Sequence, residues 1–467
     1  MDKITMEQKG TDTLTVSRSL IYASPAVVTN FLFYPVQILL AGIYAKYFGL
    51  SLATIAVIVF AARLFDAVTD PLIGYYSDRY RARTGTRKPW IIVGGIGLVI
   101  SSYFLWTPPA NVTGSYFLIW YFAFYLAWTI IDIPHTAWGG ELASTSHDKT
   151  RVYSIRAFCL YFGLFLFAVV PLLPIFKGKG FTPETLLWSV LASAVIMLPT
   201  LIICIKLTPN GRESVQVEKE SPQLVLKAIF TNKPLLNLLA GFFPISAGYG
   251  LYMGLSFIFA DAYLGLGEHL PMIFVLSTLI GLAGTGVTYQ LSARLGKIKI
   301  YRLAVIVSAM AMAGHALLKP ESEVLIPLAV LTGMFYFSNA MVLGAVPSLL
   351  SDIADYGTWK FGTDRAATYF AVYAFMAKAI VGIGGACGLG LINWYGFDAT
   401  AISHSGNSTF GLRLAIAYLP TILMLVSLIA IAKMPINARR HRLIQRRLTS
   451  RAQRRCQRET ESSFGFS

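Results

Sequence analysis

Two aspartates in this sequence have a type and spacing that predict chemistry. Asp66 and Asp70 are four positions apart inside an apolar run, so on a helix both carboxylates lie on one face. One ionised carboxylate at a bilayer centre costs roughly 2.5–3.5 kcal/mol, and two on one face also repel each other. The pair therefore predicts a site for a cation, a proton or a basic partner. Arg63 is an alternative partner, but one arginine does not satisfy two acids, which favours a cation site.

Composition predicts that the elements holding this pair cross a membrane. Of 467 residues, 55% are apolar and 13% are charged, whereas about 25% are charged in soluble domains. Twelve apolar runs are long enough to span a bilayer, which predicts an all-α polytopic membrane protein. Spans 1 to 12 are predicted at Leu20–Tyr47, Ser51–Tyr76, Trp90–Trp106, Gly114–Trp138, Val152–Leu173, Thr185–Ile205, Leu235–Leu264, Leu270–Leu291, Leu303–Leu318, Val324–Leu350, Ala366–Trp394 and Leu412–Ile431.

A polar stretch divides the spans six and six. We predict a cytoplasmic N-terminal segment at 1–19, an N-terminal six-helix half at 20–207 and a cytoplasmic middle loop at 208–234. A C-terminal six-helix half at 235–434 and a basic cytoplasmic tail at 435–467 follow. Similar Gly-x-x-x stretches follow spans 2 and 8, at Gly74 and Gly286, and such repeats are typical of transporters.

The placement of the positive charge predicts orientation rather than nucleic-acid binding. From Lys433 onward, ten basic residues against two glutamates give +8, half of the total of +16. Most of the remainder follows even-numbered spans, as in the loop with Arg79, Arg83 and Lys88. This pattern predicts a multi-pass protein of the cell inner (plasma) membrane with both termini cytoplasmic. The tail is expected to bind anionic membrane lipid.

Polar residues inside other spans predict a substrate site. Asp132 in span 4 shares a helix face with Trp128 and Thr129. A carboxylate beside an aromatic ring suits a sugar, because the acid accepts from hydroxyls and the ring covers a C–H face. The alternative is a packing tryptophan with an aspartate bonded to a neighbouring span. Arg156 in span 5 and Lys378 in span 11 need an acid partner or an anionic substrate group.

Other acids lie near predicted span ends. Asp352 and Asp355 follow span 10, and we interpret them mainly as salt-bridge partners at a cytoplasmic gate with Arg365. Asp261 lies near an outer helix end and is expected to be solvated. The scattered cysteines predict neither disulfides nor a zinc site, and the absence of HExxH and GxSxG motifs argues against a membrane enzyme.

Three sequence blocks resemble the glycoside–pentoside–hexuronide:cation symporters of the major facilitator superfamily. They are FDAVTDPLIGYYSDRYRARTGTRKPW, DIPHTAWGGEL with DKTRVYSIR, and SDIADYGTWKFGTDRAATYFAVYAFMAK. The resemblance implies a major facilitator fold, coupling-cation carboxylates at Asp66 and Asp70, and a hydroxyl ligand at Thr129. It also implies sugar-site or gating charges at Asp132, Arg156 and Lys378.

The chain departs from melibiose permeases at three positions. Asn30 replaces a substrate-binding aspartate in span 1, Thr69 replaces an asparagine between the two acids, and Thr136 replaces a tryptophan in span 4. Galactoside specificity and sodium coupling are therefore both open. A proton needs only one acid whose pKa is raised by burial.

Together these features predict a symporter, driven by H+ or Na+, that moves a sugar, glycoside or uronate by alternating access. The alternative substrate is a lysophospholipid or another amphiphile. We expect a monomer without a cofactor, and no metal site beyond a possible Na+ at the acid pair. The predicted sites are a cation site at Asp66, Thr69, Asp70 and Thr129, a substrate site at Asn30, Trp128, Asp132, Arg156, Tyr373 and Lys378, and a cytoplasmic gate at Asp78, Arg79, Arg83, Asp352, Asp355 and Arg365.

Overall fold

The computed structural model describes twelve helical spans, and within the described residues all regular secondary structure is helical. The described residues are 15–142, 146–176, 178, 180–211, 229–320, 323–362, 365–401, 403–434, 443–444, 446–447 and 450. Most of the predicted middle loop and tail therefore lies outside them. The spans are Val16–Ala23 with Pro25–Ile38 and Leu40–Phe48 (span 1), Leu52–Thr84 (2), Lys88–Trp106 (3), Gly114–Leu142 (4), Ser146–Val169 (5), Pro183–Leu207 (6), Lys233–Ile258 (7), Leu270–Leu295 (8), Lys297–His315 (9), Leu325–Phe361 (10), Ala366–Trp394 (11) and Gly406–Arg413 with Leu419–Ala432 (12).

The predicted number of spans is confirmed in the described residues. Eleven helices are long and apolar enough to cross a membrane, and a bent pair supplies the twelfth. The bent pair is the first part of span 1, where Val16–Ala23 and Pro25–Ile38 meet at 41°. Pro25 explains this break, because a proline at a helix start has no N–H to continue the preceding helix. A single π-helical turn follows span 7 at Phe259–Tyr263, and another joins the two helices of span 12 at Leu414–Tyr418.

Two helices continue well beyond the apolar runs that predicted them. Span 2 has 33 residues and span 10 has 37, and each is followed by a glycine with positive φ, Gly85 at 74° and Gly362 at 79°. The expected loop at 79–83 is therefore wrong, because Arg79 to Arg83 are helical, and Asp352 and Asp355 lie on span 10 rather than after it. Arginine is a good helix former, so the helix continues in water beyond the bilayer. The fall in hydropathy therefore marks the edge of the membrane and not the end of the helix.

The chain divides by its internal contacts into two compact units. The first comprises Met1–Val36, Leu64–Lys177 and Thr182–Val217, and the second comprises Gln37–Arg63, Gly178–Phe181 and Glu218–Ser467. The segment Gln37–Arg63, which contains the end of span 1 and the start of span 2, thus belongs with the C-terminal helices. The two boundaries cross spans 1 and 2 within their helical stretches rather than in a loop.

Within the second unit, spans 7 and 11 cross at a close backbone contact. A Cβ atom on Gly254 would lie 2.8 Å from the Cα atom of Gly385, and one on Gly384 would lie 2.5 Å from the carbonyl oxygen of Ala247. Small residues allow such approaches between membrane helices, which are held by van der Waals packing. The glycines of span 11 therefore fix its distance from span 7.

Hydrogen bonds between buried side chains join span 7 to spans 9 and 10. The Tyr249 hydroxyl lies 2.9 Å from Ser308 Oγ, which lies 2.7 Å from Ser338 Oγ. One turn along span 7, the Tyr252 hydroxyl lies 3.2 Å from His315 Nε2. The His315 Nδ1 atom lies 2.7 Å from the Ala311 carbonyl oxygen, so it carries the proton and leaves Nε2 to accept from Tyr252.

We predict that Gly254→Ala destabilises the protein by about 1–3 kcal/mol, because the added methyl group overlaps backbone that cannot move as a side chain does. The measurement is thermal unfolding of the purified protein in detergent. Gly286→Ala is the matched control, since a Cβ there meets nothing within 4 Å and only helix propensity changes. Equal melting temperatures for the two variants would contradict the close crossing.

Candidate functional site

The predicted cation site lies on spans 2 and 4 of the first unit. Asp66 is 3% exposed, and Asp70 lies one turn further along span 2. The fully buried Thr129 donates from Oγ1 to Asp70 Oδ1 at 2.9 Å, so span 4 supplies a hydroxyl group to this carboxylate. Thr69 donates its hydroxyl proton to the Phe65 carbonyl of its own helix at 3.0 Å, which leaves its oxygen lone pairs available.

Chemically, this arrangement suits a proton or a hard cation with few protein ligands. Carboxylate, hydroxyl and carbonyl oxygens are ligands for hard cations. In the described part of the chain, no group of three or more histidine, cysteine or acidic side chains is placed to hold a metal. An ion site made by the two carboxylates with hydroxyl oxygens of Thr69 and Thr129 remains a prediction.

Asp132 and Arg156, predicted for the substrate site, form an ion pair between spans 4 and 5. Arg156 Nη2 donates to Asp132 Oδ1, and the side chains are 11% and 23% exposed. The bond to a neighbouring span is the alternative that the sequence left open. The pair remains partly exposed, so its outer polar atoms are available to a ligand. Each charge also neutralises the other, which lowers the free-energy cost of both in a membrane.

An aromatic pair lies one helical turn before Asp132 of this ion pair on span 4. Trp128, one turn before Asp132 on span 4, stacks on Phe33 of span 1 with ring centroids 4.2 Å apart and planes at 16°. Asn30, one turn before Phe33, donates from Nδ2 to the Leu160 carbonyl of span 5 at 2.6 Å. The first unit therefore orients Asn30 and Trp128 through neighbouring spans. Phe33 was not predicted, because an aromatic residue in an apolar run gives no signal of its own.

The remaining two residues of the predicted substrate site belong to span 11 in the second unit. The Tyr373 ring packs on Phe242 with centroids 4.7 Å apart and is 9% exposed, and Lys378 is half-buried. A common cavity that joins them to Asn30, Trp128, Asp132 and Arg156 remains a prediction.

At the predicted cytoplasmic gate, two acids pair within their own unit. Asp78 Oδ1 accepts from Arg87 Nη2 at 2.5 Å, and Asp352 Oδ1 accepts from Lys297 Nζ at 2.6 Å. Arg79 Nη1 lies 3.5 Å from the Tyr75 hydroxyl of its own helix. Bridges among Arg79, Arg83, Asp355 and Arg365 remain a prediction.

Glu141 at the end of span 4 is a functional candidate that the sequence analysis missed. Its two carboxylate oxygens accept from Arg81 Nε at 2.8 Å and from Arg87 Nε at 2.9 Å, and the three side chains are 6–10% exposed. Arg81 also donates to the Gly211 carbonyl at 2.9 Å, and Arg87 donates to Ser77 Oγ at 3.0 Å. The sequence does contain a signal for this cluster. Glu141 is a lone acid directly after an apolar run, and the basic segment after span 2 could have supplied its partners.

The expectation that Asp261 is solvated is wrong. Its side chain is 9% exposed, and both carboxylate oxygens accept from Lys46 Nζ, at 2.9 and 2.7 Å. Lys46 comes from the end of span 1, about 200 residues earlier, so position near a helix end gave no sign of the partner.

Comparisons with known proteins agree with this architecture. The profile of the family described as MFS/sugar transport protein matches residues 21–438. The chain is 27% identical to the uncharacterized symporter YjmB of Bacillus subtilis (strain 168), over 90% of this chain and 92% of that protein. It is 26% identical to the isoprimeverose transporter of Lactiplantibacillus pentosus, over 79% and 78% of the two chains.

Among solved structures, a bacterial homologue of the human lysosomal transporter Spinster matches with a TM-score of 0.65 and 15% identity. The match covers 89% of this chain and 97% of that one, and at this identity it supports the fold alone.

The twelve spans make this a polytopic membrane protein, and the family match makes it a transporter and not an enzyme. The chain belongs to the MFS/sugar transport protein family. The resemblance to cation symporters of the major facilitator superfamily, noted from three sequence blocks, is thereby confirmed.

We predict that Glu141→Gln lowers stability by roughly 3–5 kcal/mol, because one amide oxygen replaces a carboxylate shared by two nearly buried arginines. Thermal unfolding in detergent measures the effect as a drop of several degrees in Tm. Glu184→Gln, an exposed acid at the start of span 6, is the matched control. A Glu141→Gln variant as stable as the control would mean that the two arginines do not depend on this carboxylate.

Proposed function

We propose that this protein is a cation-coupled symporter that moves a sugar, glycoside or uronate across the membrane by alternating access. The observation that carries the proposal is the acid pair on span 2, with Asp66 3% exposed and Asp70 bonded to Thr129 of span 4. A carboxylate kept this far from water is stable only when a proton, a cation or a basic partner neutralises it, and an acid pair needs more than one such neutralising group. Cation binding to such a site changes the charge of the whole bundle interior.

In this mechanism the ion binds at Asp66 and Asp70 with oxygens of Thr69 or Thr129. Neutralising the pair removes the charge penalty on rearrangement of the two repeats around a midplane site. Binding of the ion and the substrate is coupled, so each tightens the other by the same factor. The cytoplasmic side closes through salt bridges among Arg79, Arg83, Asp355 and Arg365.

The substrate class rests on the first-unit residues and on relatives. The Asp132–Arg156 pair offers acceptors and donors to hydroxyl groups, and the stacked Phe33 and Trp128 rings offer a flat apolar face. Asn30, Tyr373 and Lys378 complete the proposed cavity. One relative described above is named for isoprimeverose, a saccharide, and none of those described is named for a lysophospholipid. Saccharides are therefore the better candidates than amphiphiles.

The proposal includes the placement of the chain in the cell. The protein works as a monomer in the plasma membrane with both termini cytoplasmic. Its basic tail, which lies mostly outside the described residues, binds anionic lipid headgroups. In the described part of the tail, the Arg447 guanidinium lies 5.5 Å from the Trp359 ring at the end of span 10.

We predict that Asp66→Asn abolishes accumulation against a gradient while exchange across the membrane persists, because the neutral amide no longer requires an ion. The measurement is uptake and counterflow of labelled saccharide in proteoliposomes. Asp398→Asn, an exposed acid outside the spans, is the control and retains full accumulation. Concentrative uptake that survives Asp66→Asn would refute the cation-site assignment.

We also predict that Asp132→Asn raises the KM for the transported saccharide about tenfold to a hundredfold, the loss of one charge-assisted hydrogen bond of about 1.5–3 kcal/mol. A panel of neutral sugars, uronates and lysolipids, assayed under separate sodium and proton gradients, identifies the substrate and the ion. Uptake of lysolipid alone would replace the saccharide proposal with the amphiphile alternative. An unchanged KM in Asp132→Asn would remove this residue from the substrate site.

A further inference from the structure

The segment Gln37–Arg63 makes a fitted contact with the end of span 7 inside the second unit. Gly42 lies against the buried side chains of Phe257 and Ile258, and any Cβ at this position would overlap the Phe257 ring. The last helix of span 1, Leu40–Phe48, therefore packs on span 7 at glycine distance. This contact is closely packed, but it is small and apolar. It contains no charged group that could control whether the segment is attached or detached.

One ion pair reinforces this contact. Lys46, one turn after Gly42, donates to both carboxylate oxygens of Asp261, at 2.9 and 2.7 Å. Asp261 is 9% exposed whereas Lys46 is 33% exposed. Gly267 allows this geometry, since a Cβ there would overlap Asp261 Oδ1. The carboxylate thus sits in a fitted, nearly dry position and depends on a cation that belongs to the segment.

The turn that holds Asp261 is fixed by two further basic side chains. Asp261, Ala262 and Tyr263 are consecutive in the π-helical turn Phe259–Tyr263, a conformation found frequently at functional sites. His404 Nε2 lies 3.2 Å from the Ala262 carbonyl, and Arg413 Nη2 donates to the Tyr263 hydroxyl at 2.7 Å. Both come from the chain between spans 11 and 12 or from the start of span 12. Those two contacts stay within the C-terminal helices, whereas Lys46 links the turn to the segment by charge.

We propose that Lys46 and Asp261 form an ionic latch of the transport cycle. The latch is closed while Gln37–Arg63 packs on span 7, and it opens each time the protein opens toward the side opposite the basic loops. The proposal rests on alternating access in the proposed function. Its physical basis is that a detached Asp261 gains water, whereas an attached Asp261 without Lys46 is a buried, uncompensated charge. Removing the lysine therefore shifts the population toward the detached state.

The test measures exposure of the segment without substrate or ion. Ile43 is 0% exposed on the same helix as Lys46, so a cysteine there reacts with a membrane-impermeant thiol reagent only when the segment detaches. The reporter is Ile43→Cys in the full chain with its four native cysteines changed to serine. Lys46→Gln and Asp261→Asn are each expected to raise the labelling rate tenfold or more. The charge swap, Lys46→Asp with Asp261→Lys, is expected to return it to within about threefold of the parent.

Two further variants separate the latch from a general loss of folding. Lys46→Arg keeps the charge and is expected to label at the parent rate, and Asp398→Asn changes an exposed acid without touching the latch. Single variants that label like the parent, or a charge swap that labels as fast as the single variants, would overturn the proposal. Because labelling needs no transport, the outcome is independent of the Asp66→Asn uptake assay. The latch proposal and the cation-site proposal can therefore be supported or refuted independently.

Discussion

The structure depends on compensating carboxylates that are held away from water. Five acids described within the bundle are each met by a base or a hydroxyl from another span: Asp70 by Thr129, Asp132 by Arg156, Glu141 by Arg81 and Arg87, Asp261 by Lys46 and Asp352 by Lys297. An uncompensated carboxylate at these depths would cost several kcal/mol, a large share of the stability of any domain. Since burial of apolar surface is non-directional, these pairs also help to favour one packing arrangement over another.

Buried carboxylates are used in two ways in this protein. Glu141, shared by two arginines that are themselves bonded to Ser77 and Gly211, is held from several directions within one unit. Asp70 accepts a hydrogen bond from the neutral hydroxyl of Thr129. The Glu141 arrangement suits a permanent structural joint, whereas the proposed cation site at Asp70 requires a carboxylate whose occupant changes. A transporter needs both kinds of carboxylate: some that keep helices together throughout the cycle, and others that bind and release an ion.

Most of the fold was predictable from sequence, because a bilayer imposes length and hydropathy on each helix. The acid pair on span 2 and the polar face of span 4 were predictable for the same reason, since charge inside an apolar run is conspicuous. Partners were not. Lys46 and Asp261 are far apart in sequence, and Phe33 is indistinguishable from other apolar residues until span 1 is placed beside span 4. The ends of spans 2 and 10 were missed because helix formation continues in water after hydropathy has fallen.

The length of span 2 has a mechanical consequence. Its 33 residues extend for about 50 Å, which exceeds a hydrocarbon core of about 30 Å by several helical turns. A tilt of the whole helix by about 10° around its midpoint displaces each tip by roughly 4 Å. Asp66 and Asp70 lie in its middle third, and Arg81 lies near its tip. A small tilt around the acids thus becomes a side-chain-sized displacement at the protruding arginines, and Pro71, inside the helix directly after Asp70, is a position where the helix can also bend.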